Sequence, residues 1–267
     1  CLAETREALR AAPEGRPLIL LAPKQATFQL ERQLLTEGTI SGYTRLHILS
    51  FERLAQFVFE QLGLAHPELL AEEGRVMVLR ALLEKKRTAL KVFHASARMP
   101  GFARQLSQLL RELQQYQLSA DRLQQLADQM GTVHRLSGKL HDLGLMIRAY
   151  MEWLEAHRLQ DTDSLLDLAV QVLNRSGAGT LSIESLWLDG FAQMTPQERT
   201  LLRAILKHTR SATLAFCLDS DSSQKPPWHS AWAPVTETYL RCRDEFSTLP
   251  DVEVRMDVLE RNPARSR

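Results

Sequence analysis

Toward both ends of the chain, short apolar runs without a helical period alternate with stretches whose apolar positions recur at helical spacing. The runs 17–22 (PLILLA), 45–49, 186–188 and 211–218 (SATLAFCL) read as strands, and 252–258 alternates apolar and polar as a final strand would. Between the first two, residues 24–36 carry Phe28, Leu30, Leu34 and Leu35 at helical spacing. Helices are also expected over 2–12, closed by Pro13-Glu14-Gly15, over 51–62 behind Ser50 as N-cap, and near 236–246. Another starts at Thr195-Pro196, where Thr caps and Pro takes the first helical position. Gly38 and Gly42 bracket one loop, and Pro226, Pro227, Trp228, Trp232 and Pro234 mark a second. Strands alternating with helices in this order predict a parallel sheet joined by right-handed crossovers.

Residues 66–180 break that alternation. Helical periods run over 69–90, 100–113, 120–130, 136–157 and 164–173, and no strand is evident among them. Pro100-Gly101, Ser119 with Asp121, Gly131-Thr132 and the Asp161 to Asp163 turn separate the pieces. The expected organisation is one α/β domain, residues 1–65 with 181–267, interrupted by an all-helical insertion over 66–180.

Composition narrows the picture only in places. A chain of 267 residues, 44% hydrophobic, can bury a sizeable core. Lys+Arg 33 against Asp+Glu 32 gives +1, so only local clustering of charge can point to a partner. Such a cluster exists: from Arg75 to Arg111 nine basic residues, Lys85, Lys86 and Arg87 among them, stand against Glu84 alone, a local net of +8. A basic stripe is an electrostatic footprint for phosphate, and a solvated helix face is the plainer reading of any one of these residues. Cys1, Cys217 and Cys242 show no CxxC or Cys/His spacing, and no HxxxH or HExxH pair occurs. That pattern disfavours a metal site and a disulfide framework and suits a reducing compartment, the cytoplasm. No apolar run approaches the ~20 residues of a membrane span, and no signal peptide is visible. The chain begins without Met, already inside a helical stretch, as a fragment would.

Candidate chemistry gathers where the strand at 186–188 stops, at Asp189-Gly190-Phe191. Ligands of open α/β sheets collect at such carboxyl ends, and an acid there is how nucleotide-driven motors hold Mg²⁺ near phosphates. A turn or cap role is the plainer reading of one Asp.

Four blocks in order then carry a resemblance: Pro23-Lys24-Gln25-Ala26-Thr27-Phe28-Gln29, LSFERLA at 49–55, the helical block, and WLDGF with MTPQE across 187–198. Over essentially its whole length the chain resembles the amino-terminal part of AddB, the B-type subunit of the bacterial AddAB (RexAB-type) ATP-dependent helicase-nucleases. The resemblance implies a RecA-like, P-loop NTPase fold of the superfamily 1 helicase type. It implies a parent enzyme, an ATP-dependent deoxyribonuclease/helicase serving double-strand break repair by homologous recombination. ATP and Mg²⁺ would be its cofactors, an AddA-type helicase/nuclease subunit its partner, and single- and double-stranded DNA its substrates, with no membrane involved. A phosphate-binding glycine loop is expected just before Leu2, yet no GxxxxGK[ST] occurs in this sequence. Asp189-Gly190 also stands where such motors have Asp-Glu, which leaves Asp189 as a candidate Mg²⁺-nucleotide ligand and removes the group that activates water. The expectation is a domain without catalytic residues of its own and with feeble nucleotide chemistry. The family's nuclease site and iron–sulfur cysteines belong to a carboxy-terminal region beyond this chain.

By the same resemblance the domain holds the single strand and reads the recombination hotspot Chi. The loops after the second and third strands of such motors contact single-stranded DNA, and here they carry Gln25, Thr27 and Phe28, then Ser50, Phe51 and Arg53. Gln and Thr can bond base edges or phosphates, Phe51 can stack on a base, and Arg53 can meet a phosphate or a guanine edge. Phe191 is a second candidate ring. Structural roles compete: Phe28 reads better as a core anchor, Phe51 can be another, and Gln25 and Thr27 can be cap residues. The alternative function is a dead ATPase-fold scaffold that only docks the partner helicase subunit.

Overall fold

A computed structural model of the chain describes residues 1–36, 42–131, 135–177, 180–218, 227, 229–250 and 252–259. Gly38, Thr132, Pro226 and Trp228 lie outside the described residues. The described residues fall into two units, Cys1–Gly190 with Met194–Ala215, and Phe191–Gln193 with the residues from Phe216 on.

The larger unit begins with α1 (Leu2–Ala11), β1 (Leu18–Leu21), α2 (Thr27–Thr36), β2 (Leu46–Leu49) and α3 (Phe51–Gln61). A helical block follows: β3 (Leu69–Leu70), α4 (Glu72–Lys85), α5 (Phe102–Gln115), α6 (Ala120–Gln129), α7 (Arg135–His157), β4 (Gln160–Asp161) and α8 (Leu165–Arg175). The chain then returns through β5 (Ile183–Leu188), α9 (Pro196–Leu206) and β6 (Thr209–Leu214). The sheet has four strands in the order β2-β1-β5-β6, all pairs parallel.

The apolar runs of β1 and β5 are continuous rather than alternating because both faces of these central strands are covered, as parallel sheets require. Edge strand β6 instead leaves Arg210 to Thr213 exposed and starts two residues before the run expected at 211–218. Leu18 and Leu20 of β1 and Trp187 of β5 pack with Leu9 of α1 and Leu34 of α2. Ile19, Leu21, Leu186 and Leu188 alternate with them onto the opposite face and are fully buried. There α3 closes over β2, its Phe57 ring 4.8 Å from that of His47. At the start of α9 the expected cap is present: Thr195 and Glu198 form a reciprocal capping box ahead of Pro196.

Helices α4 to α7 enclose a second core of Leu79, Leu83, Leu106, Leu110, Leu123, Met146 and Tyr150. The strand-free reading of this block needs correction, because Leu69 and Leu70 pair in parallel with Gln160 and Asp161. The helix expected over 69–90 is shorter for that reason: its first residues are extended in the ladder, and α4 ends at Lys85 before a single turn at Arg87–Ala89.

The smaller unit is built on α10 (Ala233–Phe246), whose Val235, Leu240, Cys242 and Phe246 are buried. Phe216 sets its ring edge-on against Tyr239 at 5.7 Å. The final strand expected over 252–258 is not a strand. Its alternation is real, but Val254, Met256 and Val258 are exposed, and a period of two makes a strand only where a neighbour offers a hydrogen-bonded ladder. Among the described residues no helix is long and apolar enough to cross a membrane.

Candidate functional site

Register places the carboxyl ends of the central strands level, since Leu21 pairs with Leu49 on one side and with Leu188 on the other. Backbone bonds carry the alignment one residue further: Ala22 N–H donates to Leu49 O at 2.9 Å, and Asp189 N–H to Leu21 O at 3.0 Å. The chain leaving β1, the first turn of α3 and the exit of β5 are therefore neighbours along one edge. Gly190 turns the chain at the β5 exit, at ordinary contact distance from Pro23. Its φ of +82° is a left-handed value that favours glycine, and a Cβ there would stand 3.4 Å from Pro23 Cδ. The glycine after Asp189 thus has a backbone reason to be present.

The loop leaving β1 is a turn closed by Ala26 N–H to Pro23 O at 2.8 Å. Gln25 is exposed on it, whereas Thr27 donates its hydroxyl to Lys24 O at 3.0 Å, a local role that leaves an oxygen lone pair available. Across from it Ser50 caps α3 by accepting from Arg53 N–H, as its sequence position predicts. Arg53 is exposed, and next to it Glu52 forms an ion pair with Lys24 at 3.4 Å, so the β1 and β2 exits present one continuous surface. Sequence reading had no signal for Lys24 as part of it.

The expectation that Phe28 is a core anchor needs correction, and the open choice for Phe51 falls to the core. Phe51 is only 4% exposed and lies on the buried stripe of α3 with Leu54, Ala55 and Val58, so its ring offers no face to a base. Phe28 is 73% exposed. A signal existed for both. At 100° per residue Phe28 sits about 200° from Leu30, off the stripe that Leu30 and Leu34 share, while 51, 54, 55 and 58 follow one face. Phe191 is half-buried and belongs to the smaller unit.

Lys85, Lys86 and Arg87 close the C-terminus of α4, where cations meet the negative end of the helix dipole. Among the described residues no hydrogen bond or ion pair joins them to the strand-end loops. Glu84 pairs with Arg98 at 3.2 Å and with Arg87 at 3.7 Å, and the Arg98 hydrogen bond holds its carboxyl below the usual range. Of the nine basic residues of the stripe, Arg75 is not a surface charge and Arg111 is already engaged by carboxylates. Arg75 is buried against Asp161 and Asp163, and Arg111 reaches Glu72 and Asp163. No grouping of His, Cys, Asp or Glu suited to a metal ion occurs among the described residues.

The family described as "ADDB, N-terminal" matches residues 1–267. The chain is similar to proteins named as the B-type subunit of an ATP-dependent helicase/deoxyribonuclease. In Symbiobacterium thermophilum the identity is 38% over 248 residues, 90% of this chain and 21% of that protein. In Heliobacterium modesticaldum it is 38% over 229 residues, 85% and 18% of the two chains. In Moorella thermoacetica it is 34% over 273 residues, 100% and 23%. The chain thus spans about a fifth of the length of these curated relatives.

Proposed function

Because the chain belongs to the family of ADDB amino-terminal regions, we propose that it is the strand-holding part of an ATP-dependent helicase/deoxyribonuclease subunit used in DNA repair. Single-stranded DNA lies across the carboxyl edge of the sheet, and the Chi sequence is read there. The motor chemistry belongs to an AddA-type partner subunit, and the fold is a RecA-like domain that no longer drives hydrolysis itself. Asp189 is the residue that would meet Mg²⁺ and nucleotide phosphate.

The observation that carries this reading is the surface joined by the Lys24–Glu52 pair. It offers an exposed ring at Phe28, an amide at Gln25 and a guanidinium at Arg53 within one stretch of strand-end backbone. Rings stack on any base, while amide and guanidinium groups supply the directional bonds that discriminate bases. Phe28 takes the stacking role in place of the buried Phe51. The exposed cations Lys85 and Arg80 on α4 add a sequence-independent attraction for phosphate.

Fluorescence anisotropy of labelled single strands with the intact subunit tests the reading. Phe28→Ala is expected to weaken all strands by roughly 1–3 kcal/mol, and Gln25→Ala to blunt preference for one sequence. Lys85→Glu with Arg87→Glu should lower affinity uniformly and flatten the salt slope. Affinity and slope untouched by all of these changes would leave the docking scaffold, which the core position of Phe51 favours, as the function.

A further inference from the structure

A buried polar relay links the helix that follows β5 to the helical block, and Gln197 is its centre. Gln197, the second residue of α9, is 3% exposed. Its Nε2 donates to the backbone oxygen of Asp163 at 2.6 Å and to Asp167 Oδ2 at 2.8 Å. Asp163 lies in the single turn Thr162–Ser164 between β4 and α8, where the helical block hands the chain back toward the sheet. From there the contacts run into α4 and α5. The Asp163 carboxylate pairs with Arg75 and accepts from Arg111 Nε at 3.2 Å. Arg75, 1% exposed, also bonds Asp161 at 2.7 Å and Gln114 Oε1 at 2.7 Å. A weaker, exposed contact lies beside the first: Thr200 on α9 donates its hydroxyl to Pro196 O at 2.8 Å with Gln117 Oε1 at 3.3 Å from the same oxygen, and Gln117 Nε2 donates to Asp167 Oδ1 at 3.0 Å.

Apolar side chains would fill this space at lower desolvation cost, so the relay adds definition of position more than stability. The two bonds from Gln197 are short and directional, and an amide at 197 can satisfy both acceptors only with the first turn of α9 in one place relative to the Thr162–Ser164 turn. Packed networks of this kind carry coupling between sites.

The geometry points to Gln197 as a positioning residue, a latch that makes the first turn of α9 and the helical block shift as one body. Because α9 continues the segment that carries Asp189, occupancy of the strand-end surface is then transmitted to α4 and α5. That last step rests on the function proposed above, and the latch itself does not.

Hydrogen exchange on the intact subunit tests it. With Gln197→Met, peptides over 72–85 and 102–115 are expected to exchange about tenfold faster, the change expected when buried acceptors lose their donor. Peptides over β1 and β2 should keep their wild-type rates. Coupling is reciprocal, so Arg75→Met should raise exchange over 196–200. If either variant fails to fold, Thr200→Val, which removes one hydroxyl at nearly constant shape, should raise exchange over 102–117 in the same direction. Effects confined to the side of each substitution overturn the latch. In the presence of a single-stranded oligonucleotide, wild type should gain protection over 102–115, and Gln197→Met should bind without that gain. Failure of the oligonucleotide to bind removes the strand-holding function alone, since the exchange measured without DNA decides the latch by itself.

Discussion

Arg75 and Asp161, 86 positions apart, meet at 2.7 Å with side chains 1% and 0% exposed. Removing one member of a buried ion pair strands the other charge, and Arg75→Ala is expected to cost roughly 3–5 kcal/mol. Replacing both, with Arg75→Met and Asp161→Leu, should cost less than Arg75→Ala alone, because no unpaired charge is left by that pair. Urea unfolding curves make the comparison. A single variant that unfolds with the wild type would mean that water reaches this site.

Phe28 and Phe51 separate binding from stability. Phe51→Ala opens a cavity on the buried stripe of α3 and should cost about 3–5 kcal/mol of stability. Phe28→Ala, at an exposed position, should change stability by no more than about 0.5 kcal/mol while weakening single-stranded DNA binding. Thermal unfolding paired with anisotropy checks both. The reverse assignment of effects would contradict the exposure of the two rings.

At Gly190 the prediction concerns backbone. Gly190→Ala puts a Cβ on a residue at φ +82°, beside Pro23, and should destabilise the β5 exit by about 1–2 kcal/mol. Faster amide exchange at Asp189, whose N–H donates to Leu21 O, is the readout. An unchanged rate would show that the turn relaxes without cost.

His47 supplies a pH dependence. Burial beside the Phe57 ring lowers its pKa from the ordinary 6.5, with Glu60 pulling weakly the other way. The folded pKa lies below the unfolded one, so as pH falls the unfolded chain takes up the proton first. Stability from this group is complete above 6.5 and is lost as pH falls through the lowered value. Imidazole titration by NMR should place His47 below 6.5, and His47→Gln should reduce the loss of stability on mild acidification. A titration at or above the ordinary value would remove the effect.

How much of this was legible in the sequence depended on whether the signal was local. The run LILL of β1 and the Thr195-Pro196 start of α9 were readable because apolar burial and capping act within a few residues. The strand-end surface was readable in part, since a parallel sheet sets its carboxyl ends along one edge and Gln25 and Arg53 follow adjacent strands. Phe28 was expected in the core and is exposed, although the helical angle between Phe28 and Leu30 held the answer, and Phe51, open between core and stacking roles in the sequence, lies in the core.

The chain by itself determined its alternation of strands and helices, the helical interruption and the polar character of the strand-end loops, because periodicity and capping are short-range effects. Tertiary structure decided which charges and rings remain available. Arg75 leaves the basic stripe only because Asp161 and Asp163 fold back onto it, and Asp142 of α7 is buried because it accepts the backbone N–H groups of Lys91, Val92 and Phe93 at 2.8 Å. Val252 to Val258 carries a strand pattern and forms none, since a ladder needs a second backbone at hydrogen-bonding distance. Each of these outcomes depends on a partner far away in sequence, and a buried charge or an extended segment is stable only when that partner arrives.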